Sequence, residues 1–282
     1  MKRLLALVDG SPYARSVCDH AAWVAGRTGA AVTLLHVIGR RETDSAPSDL
    51  SGSLQLGART ALLKELSALD EERARLAQRR GRALLEDAKA RLQAGGLSEV
   101  TAQLRFGDLV ETVAASEADL LVVGKRGEAA GYARLHLGSN LERVARSSQR
   151  PLLVASRDFS PIRRVLIAYD GGPSGLRALD ALARAPLFAG LACRLVTAGA
   201  ESPETVRDLE RAQALLTAGG HEASAEIRPG PPEAAIARAI EERPADLLVM
   251  GAYGHSRIRR LVIGSTTAEM LRSSRVPVLL FR

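Results

Sequence analysis

Aromatic side chains are nearly missing from this chain: one Trp, four Tyr and four Phe occur in 282 residues. That scarcity excludes a stacking platform for single-stranded nucleic acid and leaves Leu, Val and Ala to build the core. Cysteine is as sparse. Cys18 and Cys193 lie far apart, without CxxC or HExxH spacing, so they imply neither a disulfide framework nor a zinc site and read as small buried hydrophobes of a reducing compartment. No apolar run approaches the roughly 18 residues of a membrane span. The start Met1-Lys2-Arg3 before Leu4 imitates a signal peptide only until Asp9 interrupts it. The expectation is a soluble cytoplasmic protein without membrane contact. The formal charge of +7 is spread evenly over both halves, with no basic tail, which argues against a nucleic-acid partner. GxxxxGKS/T, GxSxG and a persuasive Ser/His/Asp spacing are also missing, so no catalytic residue and no metal ligand is assigned. His36 and His255 read as packing and loop surface.

What the chain does have is a repeat. Gly251-Ala252-Tyr253-Gly254 follows an apolar segment and precedes, after nine residues, Gly264-Ser265-Thr266. A near-copy lies upstream: Gly124-Lys125-Arg126-Gly127, ten residues, then Gly138-Ser139-Asn140. Ala118-Asp119-Leu120-Leu121-Val122 matches Ala245-Asp246-Leu247-Leu248-Val249, and the Asp9-Gly10 that ends one apolar run matches Asp170-Gly171. Two homologous domains, 1–156 and 160–282, therefore make up the chain. The offset between copies falls from 161 at Asp9 and Asp170 to 123 at Gly107 and Gly230, so the first copy carries an insertion, placed at about 40–94.

Short Leu/Val runs alternate with longer amphipathic stretches. The predicted strands are 4–8, 32–38, 100–106, 120–123 and 151–155, then 165–169, 194–198, 224–228, 247–250 and 276–281. Near-continuous apolar runs indicate strands covered on both faces. The fold class is α/β: two tandem open five-stranded parallel sheets with helices on both faces. Within the insertion, Leu62, Leu63, Leu66, Leu69, Leu76, Leu84, Leu85 and Leu92 recur at near-helical spacing among charges, which predicts a helix or helical hairpin, read as a structural helix with a solvated face.

In such a sheet the ligand crevice lies beyond the carboxyl ends of the strands. Gly251 and Gly254 would keep backbone clear for a phosphate, and Gly264 would open a helix whose Ser265 and Thr266 N–H groups and hydroxyls hold its oxygens. Asp170 supplies an acceptor for a ribose hydroxyl or base amine. Gly124, Gly127, Gly138, Ser139 and Asn140, with Asp9, form the less regular first site. Lys125, Arg126, Arg257, Arg259 and Arg260 either supply charge to phosphates or face water.

These motifs resemble the universal stress protein (UspA) family in tandem form. The G-x2-G-x9-G-(S/T) pattern of its ATP-binding members is met by Gly251, Gly254, Gly264 and Ser265; the first copy departs from it by its ten-residue spacer and by Asn140. The resemblance implies that ATP, with Mg2+, lies with its base near Asp170 and Ala198 in the second copy, and near Asp9 and Val37 in the first. It further implies an internal pseudo-dimer through the last strands, 151–155 and 276–281, and leaves a further homodimer open. The function implied is ATP-binding regulation in the stress response. A nucleotide-independent scaffold acting through the inserted helix and a weak ATPase stand as alternatives, and slow ATP hydrolysis is the most that is expected of it as an enzyme.

Overall fold

The computed structural model describes residues 1–39, 56–128, 138–252 and 264–282. The first half runs β1 (Arg3–Leu7), α1 (Ala14–Thr28), β2 (Ala31–Ile38), α2 (Leu56–Ala94), β3 (Val100–Phe106), α3 (Leu109–Ala114), β4 (Leu120–Gly124), α4 (Ser139–Ser147) and β5 (Leu152–Ala155). The second runs β6 (Arg164–Ala168), α5 (Pro173–Arg184), β7 (Ala192–Ala198), α6 (Pro203–Ala218), β8 (Ala223–Arg228), α7 (Pro232–Glu242), β9 (Leu247–Gly251), α8 (Ser265–Ser273) and β10 (Val278–Phe281).

The strands form one ten-stranded sheet in the order β3-β2-β1-β4-β5-β10-β9-β6-β7-β8. Every neighbouring pair is parallel except β5 and β10, which run antiparallel with Leu152, Leu153 and Val154 opposite Leu280, Leu279 and Val278. The α/β class with helices on both faces is as the sequence predicts; the two five-stranded sheets, however, are fused edge to edge. Alternation along each strand feeds two cores. Leu4, Ala6 and Val8 point to one and Leu5 and Leu7 to the other, and each core draws residues from both halves.

Two features lock strand starts. Asp119, just before β4, accepts hydrogen bonds from the backbone N–H groups of Lys2 and Arg3, and Asp246, just before β9, accepts from those of Arg163 and Arg164. The halves also exchange cations. Lys125 Nζ donates to the carbonyl of Ser274 at the end of α8 (2.7 Å), and Arg282 donates to the carbonyls of Arg146 and Ser148 at the end of α4 (2.8 and 3.1 Å). A cation at a helix carboxyl end satisfies carbonyls that the helix itself leaves open.

The predicted helix of the insertion is a single one, α2, and its carboxyl-terminal part is not inserted at all. Leu85, Ala88 and Leu92 are buried against the sheet, and a constant offset of 124 maps them onto the equally buried Leu209, Ala212 and Leu216 of α6. The surplus is therefore the amino-terminal part of α2. At Gly81 the helix lies so close to the sheet that a Cβ would come within 2.8 Å of His36 Cδ2 and Leu104 Cδ1.

Candidate functional site

In each half, the order in which strands are added to the sheet reverses between β1 and β4, or β6 and β9, and the crevice opens beyond their carboxyl ends. In the first half, Asp9 leaves β1 and its Oδ1 accepts from Ser11 N (3.0 Å), while Oδ2 accepts from Glu128 N (3.2 Å). A Cβ on Gly127 would sit 3.1 Å from Asp9 Oδ2, one on Gly138 would sit 3.3 Å from Gly127 N, and one on Gly124 would strike Tyr13 Cβ at 2.7 Å. Asp9, Gly124, Gly127 and Gly138 thus converge, with Ser139 and Asn140 exposed at the start of α4. Val37 lies on β2, half-buried and opposite Arg105 of β3.

The second half repeats the plan with more glycine. Asp170 Oδ1 accepts from Gly172 N (2.9 Å), and a Cβ on Gly172 or Gly175 would come 3.0 or 3.1 Å from that same oxygen. Gly251 abuts Ser174, where a Cβ would lie 2.8 Å from Ser174 Cβ, so the end of β9 packs on the start of α5. Gly264 is different: among the described residues, a Cβ there meets only Thr267 Oγ1 at 3.6 Å and Ala252 O at 3.8 Å, ordinary contacts. Ser265 and Thr266 follow in the first turn of α8, and Ala198 ends β7, half-buried. Gly254, with His255, Arg257, Arg259 and Arg260, lies outside the described residues.

Helices α4 and α8 both begin at a glycine N-cap, and among the described residues no side chain caps either start. The opening N–H groups of a helix are unpaired within it and carry the positive end of its dipole, so each start favours an anion. They differ in sign around that end. The first turn of α4 holds Glu142, whereas α8 has no acidic residue there.

Three contributions escaped the sequence. Buried Thr267 donates from Oγ1 toward the carbonyls of Gly251 and Ala252 (3.4 and 3.3 Å), tying α8 to the end of β9. His36 Nδ1 contacts Val8 O at 2.8 Å, and since a carbonyl only accepts, that nitrogen carries the proton; Thr197 does the same for Tyr169 O at 2.9 Å in the equivalent place. His36 is thus a strand-end clamp, consistent with its reading as packing. Finally, Arg80 of α2 pairs with Glu128 directly over Gly10, where a Cβ would touch both side chains. The charge on Lys125 serves α8 of the other half instead of the α4 start.

A model of the universal stress protein family matches residues 1–156 and 194–282. A universal stress protein of Synechocystis is 40% identical over the full length of both chains. A universal stress protein of Mycobacterium tuberculosis is 31% identical over 145 residues, 43% of this chain and 97% of its own. Among solved structures, a universal stress protein from Archaeoglobus fulgidus superposes with a TM-score of 0.74 at 21% identity, covering 99% of this chain and 98% of its own. A second, from Pseudomonas aeruginosa, reaches 0.64 at 18% identity, covering 100% and 93%.

Proposed function

The chain belongs to the universal stress protein family, and on that premise we propose that it is an ATP-binding regulatory protein whose second half carries the stronger nucleotide site. The observation that carries this reading is the start of α8: an acid-free helix terminus opened by Gly264, where a side chain would make only ordinary contacts with the described residues. Phosphate oxygens accept from the N–H groups of Ser265 and Thr266 and from their hydroxyls. The base lies toward Asp170 and Ala198, as the family resemblance implies. Mg2+ arrives with the nucleotide, held by phosphate oxygens and water.

The first site binds less well, because Glu142 offsets the positive end of the α4 dipole and Arg80 with Glu128 covers Gly10. Nucleotide occupancy sets conformation or partner choice and the protein is not an enzyme in the ordinary sense; its surroundings are cytoplasmic. The antiparallel seam of β5 and β10 acts as an internal pseudo-dimer.

Calorimetric titration of nucleotide-stripped protein with ATP and Mg2+ tests the reading. One strong site per chain is expected, and it should disappear in Gly264→Glu, which the fold accommodates but which puts a carboxylate at the anion-binding start. Unchanged binding in Gly264→Glu, or no binding by folded wild-type protein, refutes the reading and favours a nucleotide-independent scaffold.

A further inference from the structure

We propose that the overhanging amino-terminal part of α2 joins two copies of this chain as an antiparallel helix pair. Helix α2 has 39 residues, whereas its counterpart α6 covers the same region of the sheet with 16. By the offset that superposes their buried leucines, α6 begins opposite Arg79, so everything in α2 before Arg79 is surplus to the fold. At 1.5 Å per residue, that surplus is a rod of roughly 35 Å.

The rod leaves apolar surface in water. Leu63, Leu69 and Leu76 are 49%, 49% and 58% exposed. Leu62, Leu69 and Leu76 are spaced seven apart, the period of a seam between paired helices. At 100° per residue this stripe stands roughly 130° from the face formed by Gly81, Leu85, Ala88 and Leu92, which the sheet already occupies. Half-buried Leu66 flanks it.

Charge identifies the occupant. Beside Lys64, the acids Glu65, Asp70, Glu71 and Glu72 come first, and Arg73, Arg75, Arg79, Arg80 and Arg82 follow, with Arg80 already paired to Glu128. The intrahelical pair of Arg75 with Glu71 (3.3 Å) is exposed and water-screened, so it satisfies little of the charge on those two residues. A parallel pair would set acid on acid and base on base. An antiparallel pair with its twofold axis near Glu72 sets Glu65 of each copy opposite Arg79 of the other, and brings Leu66 and Leu69 onto the region of the partner helix around Leu76. This surface is complementary to itself, as a closed twofold interface requires.

Sedimentation of the full chain across concentration tests the proposal, with circular dichroism confirming that each variant is folded. Wild type is expected to shift from its 30.0 kDa monomer to twice that mass, and Leu69→Glu with Leu76→Glu to weaken the dimer at least tenfold. Glu65→Arg with Glu72→Arg should be monomeric alone, as should Arg73→Glu with Arg79→Glu, while an equal mixture of the two pairs again. For orientation, Glu72→Cys near the axis should oxidise to a disulfide-linked dimer and Leu62→Cys should not. The native thiols do not interfere, because burial pushes Cys18 to about 12 and Cys193 to about 11. A monomer at every concentration, a dimer indifferent to the leucine and charge changes, or cross-linking at 62 without 72 overturns the proposal.

Discussion

At the residue scale, Lys125 shows how position reassigns chemistry. Within a glycine loop it invites a role on phosphate, yet its ammonium is half-buried against the carbonyl of Ser274 in the opposite half. Burial first, and then the neighbouring Arg126, pull its amine down to about 8. The unfolded chain, with an ordinary lysine, therefore binds more protons than the folded one between about 8 and 10.5. Stability from this group accordingly rises as pH climbs through that window, because the cost of burying charge is relieved. Compared by urea unfolding at several pH values, wild type should gain on Lys125→Met as pH rises from 8 toward 10.5. A difference that stays flat with pH would mean the ammonium is solvated and the contact with α8 is incidental. Arg80 and Glu128 make a second case of reassignment, since their meeting over Gly10 joins residues 48 apart in sequence.

At the scale of elements, the parts readable in advance were those with local signatures. Glycines at a strand end and at the next helix start, repeated at nearly the same spacing, mark the places where Gly124, Gly127 and Gly138, and Gly251 and Gly264, lie at strand ends and helix starts. Near-continuous Leu/Val runs mark the strands. Asp119 and Asp246 were noticed only as members of a repeated string, because their partners are backbone groups 117 and 83 residues away. No periodicity encodes such a contact. Likewise, the leucine spacing of α2 encodes a helix but not which leucines meet the sheet, so the burial of Leu85 and Leu92 is visible only in the fold.

Asp246 also carries a measurable expectation. Its burial favours the protonated acid, but hydrogen bonds from the Arg164 side chain and from the N–H groups of Arg163 and Arg164 outweigh that and hold its carboxyl below the usual carboxylate range. A depressed folded value means the contribution is complete above the ordinary value near 4 and is lost as pH falls through the folded one. Hydrogen bonds to a charged group are worth roughly 1.5–3 kcal/mol. Asp246→Ala should therefore lose about that much at neutral pH by chemical denaturation, and the deficit should shrink in acid. An Asp246→Ala protein as stable as wild type at neutral pH would show that the β6 start needs no clamp.

At the scale of the molecule, the question is whether two copies make two cooperative units or one. The seam argues for one. β5 and β10 are short strands whose seven apolar members and Ala155 are all buried, and each would otherwise leave an open, apolar sheet edge. The exchanged cations, Lys125 on α8 and Arg282 on α4, fix the same seam from its flanks, and Arg27 of α1 reaches the carbonyls of Leu187 and Ala189 across it. Leu153 is nearly inaccessible, faces Leu279, and lies in a core shared by both halves. Truncating it removes contacts that neither half can replace alone, at a cost of about 2–5 kcal/mol for a buried leucine. If the sheet unfolds as a unit, Leu153→Ala should lower the stability reported by probes in both halves equally, within a single transition. Trp23 fluorescence reports the first half, and hydrogen exchange at the amides of β7 reports the second. Separate transitions, with only the first half destabilised, would mean that the seam joins two independent domains and that nucleotide bound in one half has no mechanical route to the other.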